Sequence, residues 1–336
     1  MALLWMDGFD TYNTTGDIST SLARSYTVSN SNSIAAVTGR YARTGVQFTP
    51  GKDGYSRLFK SITPTAGATH LFVGFNIKII SGNMHTYINS DWGIQTAVWI
   101  YVNILYCGNN SIATLSYNTW YHIEIRIPLT ATSGSNKYEL YLDGALVFSS
   151  SSLNFSFSSG LYFGAQFQWN NQGPYSVFDD LYILDNTGST NNARLSTLSY
   201  VPRIETLFPT STTASDFTLT GAATAHEALD NVPVNTGQYI SSTTTNHKAR
   251  FGVGDLTNIN SIKAVQFNGL ASNTTNANND WKFLMNDTEV GTTSTVTDVL
   301  TNSTPISRKI FETNPITSAA WTSGNINSIE AGIINK

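Results

Sequence analysis

Hydrophobic and polar residues alternate along much of this chain, most clearly in the segment TWYHIEIRI that begins at Thr119. Its even positions from 120 to 126 hold Trp, His, Glu and Arg, whereas its odd positions from 121 to 127 hold Tyr and three Ile. A period of two is typical of a β-strand with one face in the core and one toward solvent. The segment is therefore predicted to be a strand of an antiparallel sheet.

The next segment, KYELYLDGALVFS, alternates in the same way and is interrupted at Asp143-Gly144. This dipeptide favours the positive φ angles of a two-residue hairpin turn. Further strand-like runs, LYFGAQFQW and VFDDLYIL, follow with turn residues between them. We therefore predict an antiparallel β-sandwich that contains this hairpin.

Short strand-like segments extend over the rest of the chain, with almost no window at helical period. Beyond Pro202 they recur at ARFGV, SIKAVQFNGLA, DWKFLMN, RKIFET and SIEAGII, with short helical turns predicted at residues 225–229 and 318–321. A length of 336 residues favours two domains. We predict an all-β jelly-roll sandwich over residues 1–200 and a smaller β-sandwich over residues 201–336, with the boundary near Pro202.

Composition excludes some classes of function. Charged residues make up 12% of the chain and the formal net charge is −4, against about 25% charged residues in an average globular protein. Lys and Arg are scattered singly, so no basic stripe is available to bind nucleic acid. No apolar stretch is long enough for insertion into a membrane, and the opening MALLWMDGFD has no signal-peptide pattern.

Cys107 is the single cysteine, so an intrachain disulfide is excluded. It lies in the apolar run VWIYVNILYC and is predicted to be a small buried hydrophobic residue.

Sequence patterns for catalysis are missing. Glycoside hydrolysis requires two carboxylates beside the scissile bond, but Glu124 and Glu139 each lack a second carboxylate nearby on the same face of their strands. The histidines are not at zinc-ligand spacing, and no nucleophile elbow or phosphate-binding loop is present. We expect no enzymatic activity, no catalytic residues and no cofactor.

The adjacent pair Asp179-Asp180 is the most conspicuous acidic feature. With Asp7, Asp10 and Asp185 it could form a calcium site; alternatively, these side chains bind the amides of turns. Successive strand residues point to opposite faces, so both members of the pair can face one site only if the strand has a bulge. We assign no metal ligands.

Aromatic residues beside amides suggest a second kind of site. Carbohydrate sites combine a flat ring with amide groups that bind hydroxyls. A glycan site is therefore predicted at Trp169, Asn170, Asn171, Tyr175 and Trp92. The alternative is that these rings plug the ends of the sandwich or face a neighbouring subunit. Four further tryptophans are interpreted as core or subunit-contact residues: Trp99, Trp120, Trp281 and Trp321.

Particular segments of the chain resemble two known groups of proteins. The segments NTWYHIEIRI and KYELYLDGALVFS resemble the concanavalin-A-like or laminin-G-like jelly-roll superfamily. The segments MALLWMDGFD, FDDLYILDNTGSTNN, PRIETLFPTS and FETNPITSAAWTSGNINSIEAGI together resemble a family of tailed-bacteriophage virion proteins, from one end of the chain to the other.

The second resemblance implies a non-enzymatic structural protein of the virion, in a decoration, tail or fibre position, assembled in the bacterial host cytoplasm. Its partners would be other virion proteins and copies of itself, with a trimer as the first expectation, and a host-surface glycan. A glycan-binding adhesion module is the alternative, and a polysaccharide-degrading enzyme is the third. Binding requires exposed rings beside polar groups, whereas catalysis requires two carboxylates in a groove.

Overall fold

The fold comes from a computed structural model that divides the chain into two compact units, Met1–Ile204 and Glu205–Lys336. This division lies four residues beyond the predicted end of the first domain. The residues described are 2–12, 16–29, 34–49, 55–81, 85–89, 98–129, 137–151, 157, 159–166, 175–257, 259, 261–273, 279–296 and 306–336.

Strands dominate the described part of the first unit, together with helix α1 (Ser19–Leu22) and a 3-10 turn at Arg40–Ala42. The strands are β1 (Leu3–Asp7), β2 (Gly16–Asp17), β3 (Thr27–Ser29), β4 (Ile34–Thr38), β5 (Thr44–Phe48), β6 (Tyr55–Ser61), β7 (His70–Ser81), β8 (His85–Asn89), β9 (Val98–Tyr101), β10 (Ile104–Cys107), β11 (Asn110–Thr114), β12 (Trp120–Pro128), β13 (Tyr138–Leu142), β14 (Ala145–Ser150), β15 (Gly160–Gln166) and β16 (Tyr175–Asp185).

These strands form two antiparallel sheets among the described residues. The first sheet has the order β14-β13-β12-β7-β16-β5-β4-β2, with β1 also paired to β16, and the second sheet has the order β11-β10-β9-β8-β15-β6-β3. The chain passes from one sheet to the other several times, as in a jelly roll. The predicted all-β sandwich is confirmed, and so is the hairpin turn, where Asp143 and Gly144 have φ angles of 47° and 82°.

The hydrophobic alternation places the core between the two sheets. Ile123 and Ile125 of β12 are fully buried on the inner face of the first sheet, and Leu105 and Phe163 are buried on the inner face of the second. Cys107 is also buried, as predicted, and burial raises the pKa of its thiol to about 12.

The second unit contains helix α2 (Ser323–Asn327) and nine strands in its described part. They are β17 (Pro209–Ser215), β18 (Thr218–Thr220), β19 (Tyr239–Ser241), β20 (Lys248–Val253), β21 (Val265–Gly269), β22 (Asn279–Met285), β23 (Thr288–Val296), β24 (Ser307–Phe311) and β25 (Glu330–Asn335). A sheet of order β17-β20-β25-β22-β23 packs against the β21-β24 pair, and Trp281 and Trp321 lie in its core, as predicted.

One of the two helical turns predicted in this unit is wrong. Residues 225–229 form a hydrogen-bonded turn in which the N–H groups of Ala228 and Asp230 donate to the carbonyls of Thr224 and His226, four residues earlier. Residues 318–321 are not helical, and the helix begins after Thr322 instead. Thr322 caps it, because its side chain accepts a hydrogen bond from the Asn325 backbone while the Asn325 side chain accepts one from the Thr322 backbone. The Ser/Thr-rich stretch after Pro209 forms the edge strand β17, which suits a proline at its first position.

No helix within the described ranges has both the length and the apolar character that a membrane span requires.

Candidate functional site

The outer face of the second sheet is lined by aromatic side chains. Its strands alternate so that aliphatic residues such as Ile100 and Leu105 point to the core, while their neighbours point outward. We call this outward surface the aromatic face, and it consists of Arg57, Phe59, Trp99, Tyr101, Tyr106 and Tyr162. All six side chains are at least partly exposed.

Trp99 and Tyr106 form the centre of the aromatic face. They are directly opposite each other in the β9-β10 hairpin, and their rings stack at 4.0 Å with an interplanar angle of 7°. The Trp99 indole N–H donates a 2.8 Å hydrogen bond to the Gly108 carbonyl, which fixes the ring orientation. The centroid of the Tyr101 ring lies 6.4 Å from that of Trp99, and Tyr101 is 37% exposed. These contacts fix the arrangement of the three rings on the outer face of the sheet.

A second aromatic pair lies across the same sheet. Phe59 and Tyr162 are cross-strand partners with ring centroids 4.7 Å apart. The Arg57 guanidinium lies 4.6 Å from the centre of the Tyr162 ring. Arg57 is opposite Gly164, where an added Cβ would lie 2.9 Å from the Arg57 Cβ and 2.1 Å from a backbone oxygen. Glycine therefore leaves space beside the arginine stem.

Register places the Trp99–Tyr106 pair and Arg57 in one row, whereas Phe59 and Tyr162 lie in the neighbouring row. Trp99 pairs with residue 87, residue 87 with Gly164, and Gly164 with Arg57. Because directly opposite residues share a face, these positions form a continuous line across the strands. Three strand spacings of about 4.8 Å place Trp99 and Arg57 about 14 Å apart.

The outer face of the first sheet has a different chemistry. A β-bulge in β16 brings Asp179 and Asp180 to this face together: Asp179 pairs with Asn76, but Tyr182 pairs with Gly74, and Asp180 has a φ angle of 52°. Both carboxylates are 2% exposed. Because the strand has this bulge, both aspartates face the same side of the sheet.

The two aspartates bind amides. Asp179 accepts hydrogen bonds from the backbone N–H groups of Arg40 and Asp180, at 2.7 and 2.8 Å. Asp180 accepts 2.6 Å hydrogen bonds from the Ile204 backbone and from the Asn76 side chain. Burial, together with the charge of Asp180, raises the pKa of Asp179 to about 9, and burial raises the pKa of Asp180 to about 6.

The other three aspartates considered as calcium ligands also accept hydrogen bonds from backbone N–H groups. Asp7 accepts from Phe9 at 2.9 Å, Asp10 from Thr44 at 2.9 Å, and Asp185 from Thr65 and Thr187. This is the turn-binding alternative that the sequence left open. In the parts of the chain that the structure describes, no three acidic, histidine or cysteine side chains are grouped as metal ligands.

Glu124 is completely buried beneath the segment that follows β16. It accepts hydrogen bonds from the Tyr182 hydroxyl at 2.7 Å, from the Leu195 backbone at 2.8 Å, and from the backbone and hydroxyl of Ser196. His122 lies beside it, and burial, with the nearby Arg40 charge, lowers the pKa of the imidazole to about 3. These contacts attach residues 194–204 to the first sheet.

The predicted glycan-site residues Trp92, Trp169, Asn170 and Asn171 lie outside the described residues, and so does the side chain of Tyr175. Their role stays a prediction. In the described strands, β8 ends at Asn89, opposite Tyr162, and β15 ends at Gln166, opposite His85.

Trp99 was predicted to be a core or subunit-contact residue. Its ring lies on the outer face of the second sheet and not in the core, and a subunit contact stays a prediction. Trp120 is also only half buried, and its ring packs against the Lys78 ammonium at 5.0 Å. The turn that forms the aromatic face is not marked by a glycine in the sequence. A two-residue turn at Val102-Asn103 places Trp99 opposite Tyr106, as observed.

No protein-family model matches the chain, and no curated protein matches it. Among solved structures it is similar to the catalytic domain of a GH131 β-glucanase from Podospora anserina, with 12% identity, 55% of this chain and 86% of that chain covered, and a TM-score of 0.37. It is also similar to domain 4 of AbnA, a GH43 extracellular arabinanase from Geobacillus stearothermophilus in complex with arabinotriose, with 14% identity, 55% and 92% coverage, and a TM-score of 0.29.

A third similar structure is the binding domain of botulinum neurotoxin DC in complex with rat synaptotagmin II, with 15% identity, 44% of this chain covered and a TM-score of 0.32. This chain spans 41% of that chain's length. Similarities at these identities and TM-scores carry no argument about function. None of these structures is described as a phage protein, so the resemblance to virion proteins rests on the quoted segments alone.

Proposed function

We propose that the chain is a non-enzymatic glycan-binding module whose ligand lies on the aromatic face. The observation that carries this proposal is the stacked Trp99–Tyr106 pair, held toward solvent on the outside of a sheet. Large aromatic rings are normally buried in cores or interfaces, and an exposed apolar patch on a soluble domain marks an interaction site. The C–H surface of a sugar packs on such rings, while their polar edges and nearby amides bind its hydroxyls.

The acidic residues support binding rather than hydrolysis. The seven described strands of the second sheet contain no Asp or Glu. Hydrolysis of a glycosidic bond requires two carboxyl groups within about 5–9.5 Å of each other beside the sugar. Strands without carboxylates supply neither the acid nor the nucleophile of that reaction.

A glycan array followed by affinity measurements on the full chain tests the proposal. We expect Trp99→Ala to weaken binding of the selected polysaccharide at least tenfold, as the loss of a central aromatic contact does. Trp120→Ala is the matched control, because this tryptophan is also half buried but lies on the first sheet. Binding that survives Trp99→Ala, or no binding to any polysaccharide, would reject the proposal.

We further propose that this module works on a tailed-phage virion, as a homo-oligomer that contacts other virion proteins and a host-surface glycan. Support comes from the four separated sequence segments that resemble virion proteins in the same order. Antiparallel sandwiches with edge strands are suited to symmetric packing. Cryo-electron microscopy of purified virions tests this setting, and absence of the chain from the particle would reject it while leaving the glycan-binding proposal standing.

A further inference from the structure

Strands β9, β10 and β11 present an array of six outward-facing side chains on the second sheet. Directly opposite residues share a face, and all six side chains are at least partly exposed. The two rows of the array are two residues apart on β9, which is about 7 Å along the strand. The first row is Trp99, Tyr106 and Ser111, and the second row is Tyr101, Ile104 and Thr114. We call these six residues the β9–β11 array.

The chemistry of the β9–β11 array changes from rings to hydroxyls across the strands. Each row starts with an aromatic ring on β9 and ends with an exposed hydroxyl on β11, which is the outermost strand of the described part of this sheet. Within the described residues, neither the Ser111 nor the Thr114 hydroxyl makes a side-chain hydrogen bond. Such a hydroxyl both donates and accepts, as the hydroxyl of a sugar does. Rings and hydroxyls in one row can therefore contact the C–H surface and the polar edge of the same sugar.

Charge is missing from the part of the chain that forms the β9–β11 array. Residues 92–121 contain no Asp, Glu, Lys, Arg or His. The Arg57 guanidinium packs on Tyr162, and Arg57 is about 14 Å from Trp99 across the strands. An ionised group that packs on the array loses hydration without an ion pair from the array itself, and this costs free energy. An uncharged ligand does not incur this cost.

Resting on the proposed glycan-binding function, we propose that the β9–β11 array selects uncharged polysaccharides and that Ser111 and Thr114 bind their hydroxyl groups. The chain of sugars follows the strands, with one ring in each row. One sugar packs beside the Trp99–Tyr106 pair and binds Ser111. The next packs beside Tyr101 and binds Thr114.

Calorimetry on the full chain tests the preference for uncharged ligands. The probes are the polysaccharide selected on the glycan array, together with cellulose, dextran and galactomannan, each as its hydroxyethyl and its carboxymethyl derivative. These two substituents are similar in size and differ in charge. We expect a hydroxyethyl form to bind and its carboxymethyl form to bind about tenfold more weakly. Added salt should leave the affinity for the hydroxyethyl form unchanged, a measurement that does not depend on the folding of any variant.

Substitutions test the two hydroxyls. Ser111→Ala and Thr114→Val each remove one hydroxyl from an exposed position, and each should weaken binding of the hydroxyethyl form about three- to tenfold, as the loss of one hydrogen bond does. Thr114→Ser keeps the hydroxyl and should bind nearly as tightly as the unmodified chain. Thr213→Val is the matched control, because Thr213 is an exposed threonine of strand β17 in the second unit.

The outcomes separate the two proposals. Binding that is lost in Trp99→Ala but unchanged in both Ser111→Ala and Thr114→Val would overturn the role of the hydroxyls and leave the glycan-binding function standing. A carboxymethyl form that binds as tightly as its hydroxyethyl form, or a glycan array that selects acidic glycans alone, would overturn the selection of uncharged ligands. No binding to any polysaccharide would overturn both proposals.

Discussion

The outer faces of the two sheets in the first unit differ in how their polar and aromatic groups are used. On the first sheet, the carboxylates of Glu124 and Asp180 are buried and bind backbone amides of residues 194–204. On the second sheet, the rings of Trp99 and Tyr106 bind each other and remain partly exposed. A buried carboxylate whose oxygens accept hydrogen bonds from the chain stabilises the fold and is not accessible to a ligand. An exposed aromatic pair is accessible to a ligand.

The comparison also bears on catalysis. The raised pKa values of Asp179 and Asp180 resemble those of catalytic acids, but ion-pair and amide-binding networks perturb pKa values as well. Both aspartates accept backbone N–H groups at 2.6–2.8 Å. We therefore assign the acidic cluster of the first sheet to stability and keep the aromatic face of the second sheet as the proposed binding surface.

The largest expected effect is on the first sheet. Glu124→Ala should lower the free energy of unfolding by about 4 kcal/mol, because it leaves buried donors of Tyr182, Leu195 and Ser196 without their acceptor. Urea-induced unfolding measures this loss. Glu139→Ala is the matched control, since Glu139 is partly exposed beside Arg126 and should contribute about 1 kcal/mol or less. Equal losses in the two variants would contradict the assignment of Glu124 to attachment of residues 194–204.

The second largest expected effect is on the pH dependence of the free energy of unfolding. The pKa values of Asp179 and Asp180 in the folded chain, about 9 and about 6, are above the ordinary value of 3.8. Their contribution to stability is therefore fully present below pH 4 and is lost as the pH rises through 6 toward 9. A proton bound only in the folded state changes the free energy of unfolding by about 1.4 kcal/mol per pH unit.

The measurement is the urea midpoint as a function of pH. We expect Asp179→Asn to reduce the fall in stability between pH 6 and pH 9, with exposed Asp230→Asn as the control. His122 acts in the opposite direction, because its lowered pKa of about 3 means that stability is lost as the pH falls from 6.5 toward 3. An unchanged slope in Asp179→Asn would contradict the buried pair as its source.

The strands and the hairpin at Asp143-Gly144 could be predicted because both signals are local. The bulge at Asp179-Asp180 could not, because it depends on the pairing of β16 with β7 and on distant amides such as those of Arg40 and Ile204. Alternation alone predicts that adjacent side chains point to opposite faces. The observed bulge departs from this alternation, and it is accompanied by the hydrogen bonds from the backbone amides of Arg40 and Ile204.

The aromatic face was missed because VWIYVNILYC resembles one continuous buried strand. Its turn at Val102-Asn103 lacks the glycine that usually marks a two-residue hairpin loop. Without the turn, Trp99 and Tyr106 cannot be recognised as cross-strand partners. The glycan site predicted at Trp92 and Trp169 was inferred from nearby amides instead, and it stays a prediction.

A smaller effect tests whether Trp99 belongs to the surface. Trp99→Ala should lower the free energy of unfolding by about 1 kcal/mol, mainly through the lost stacking on Tyr106. Trp281→Ala, in the core of the second unit, should cost about 3–5 kcal/mol. Thermal and urea unfolding of both variants make the comparison. A loss from Trp99→Ala as large as that from Trp281→Ala would place Trp99 in the core and would undermine the aromatic face as a binding surface.

The smallest effect has the opposite sign and concerns the turn that aligns the aromatic face. Val102 has a φ angle of 59°, which a β-branched residue rarely adopts. Val102→Gly should therefore raise the free energy of unfolding by about 0.5–1 kcal/mol. This is the net effect, because relief of the backbone strain exceeds the entropic cost of ordering a glycine, which is more flexible in the unfolded chain. Asn118→Gly, at a φ of 58°, is the control and should change little, because asparagine tolerates this conformation. If Val102→Gly is more stable yet binds glycan less tightly, the strained turn helps to position Tyr101 and the Trp99–Tyr106 pair; if it is less stable, the strain is absent and the hairpin is held by its ring contacts alone.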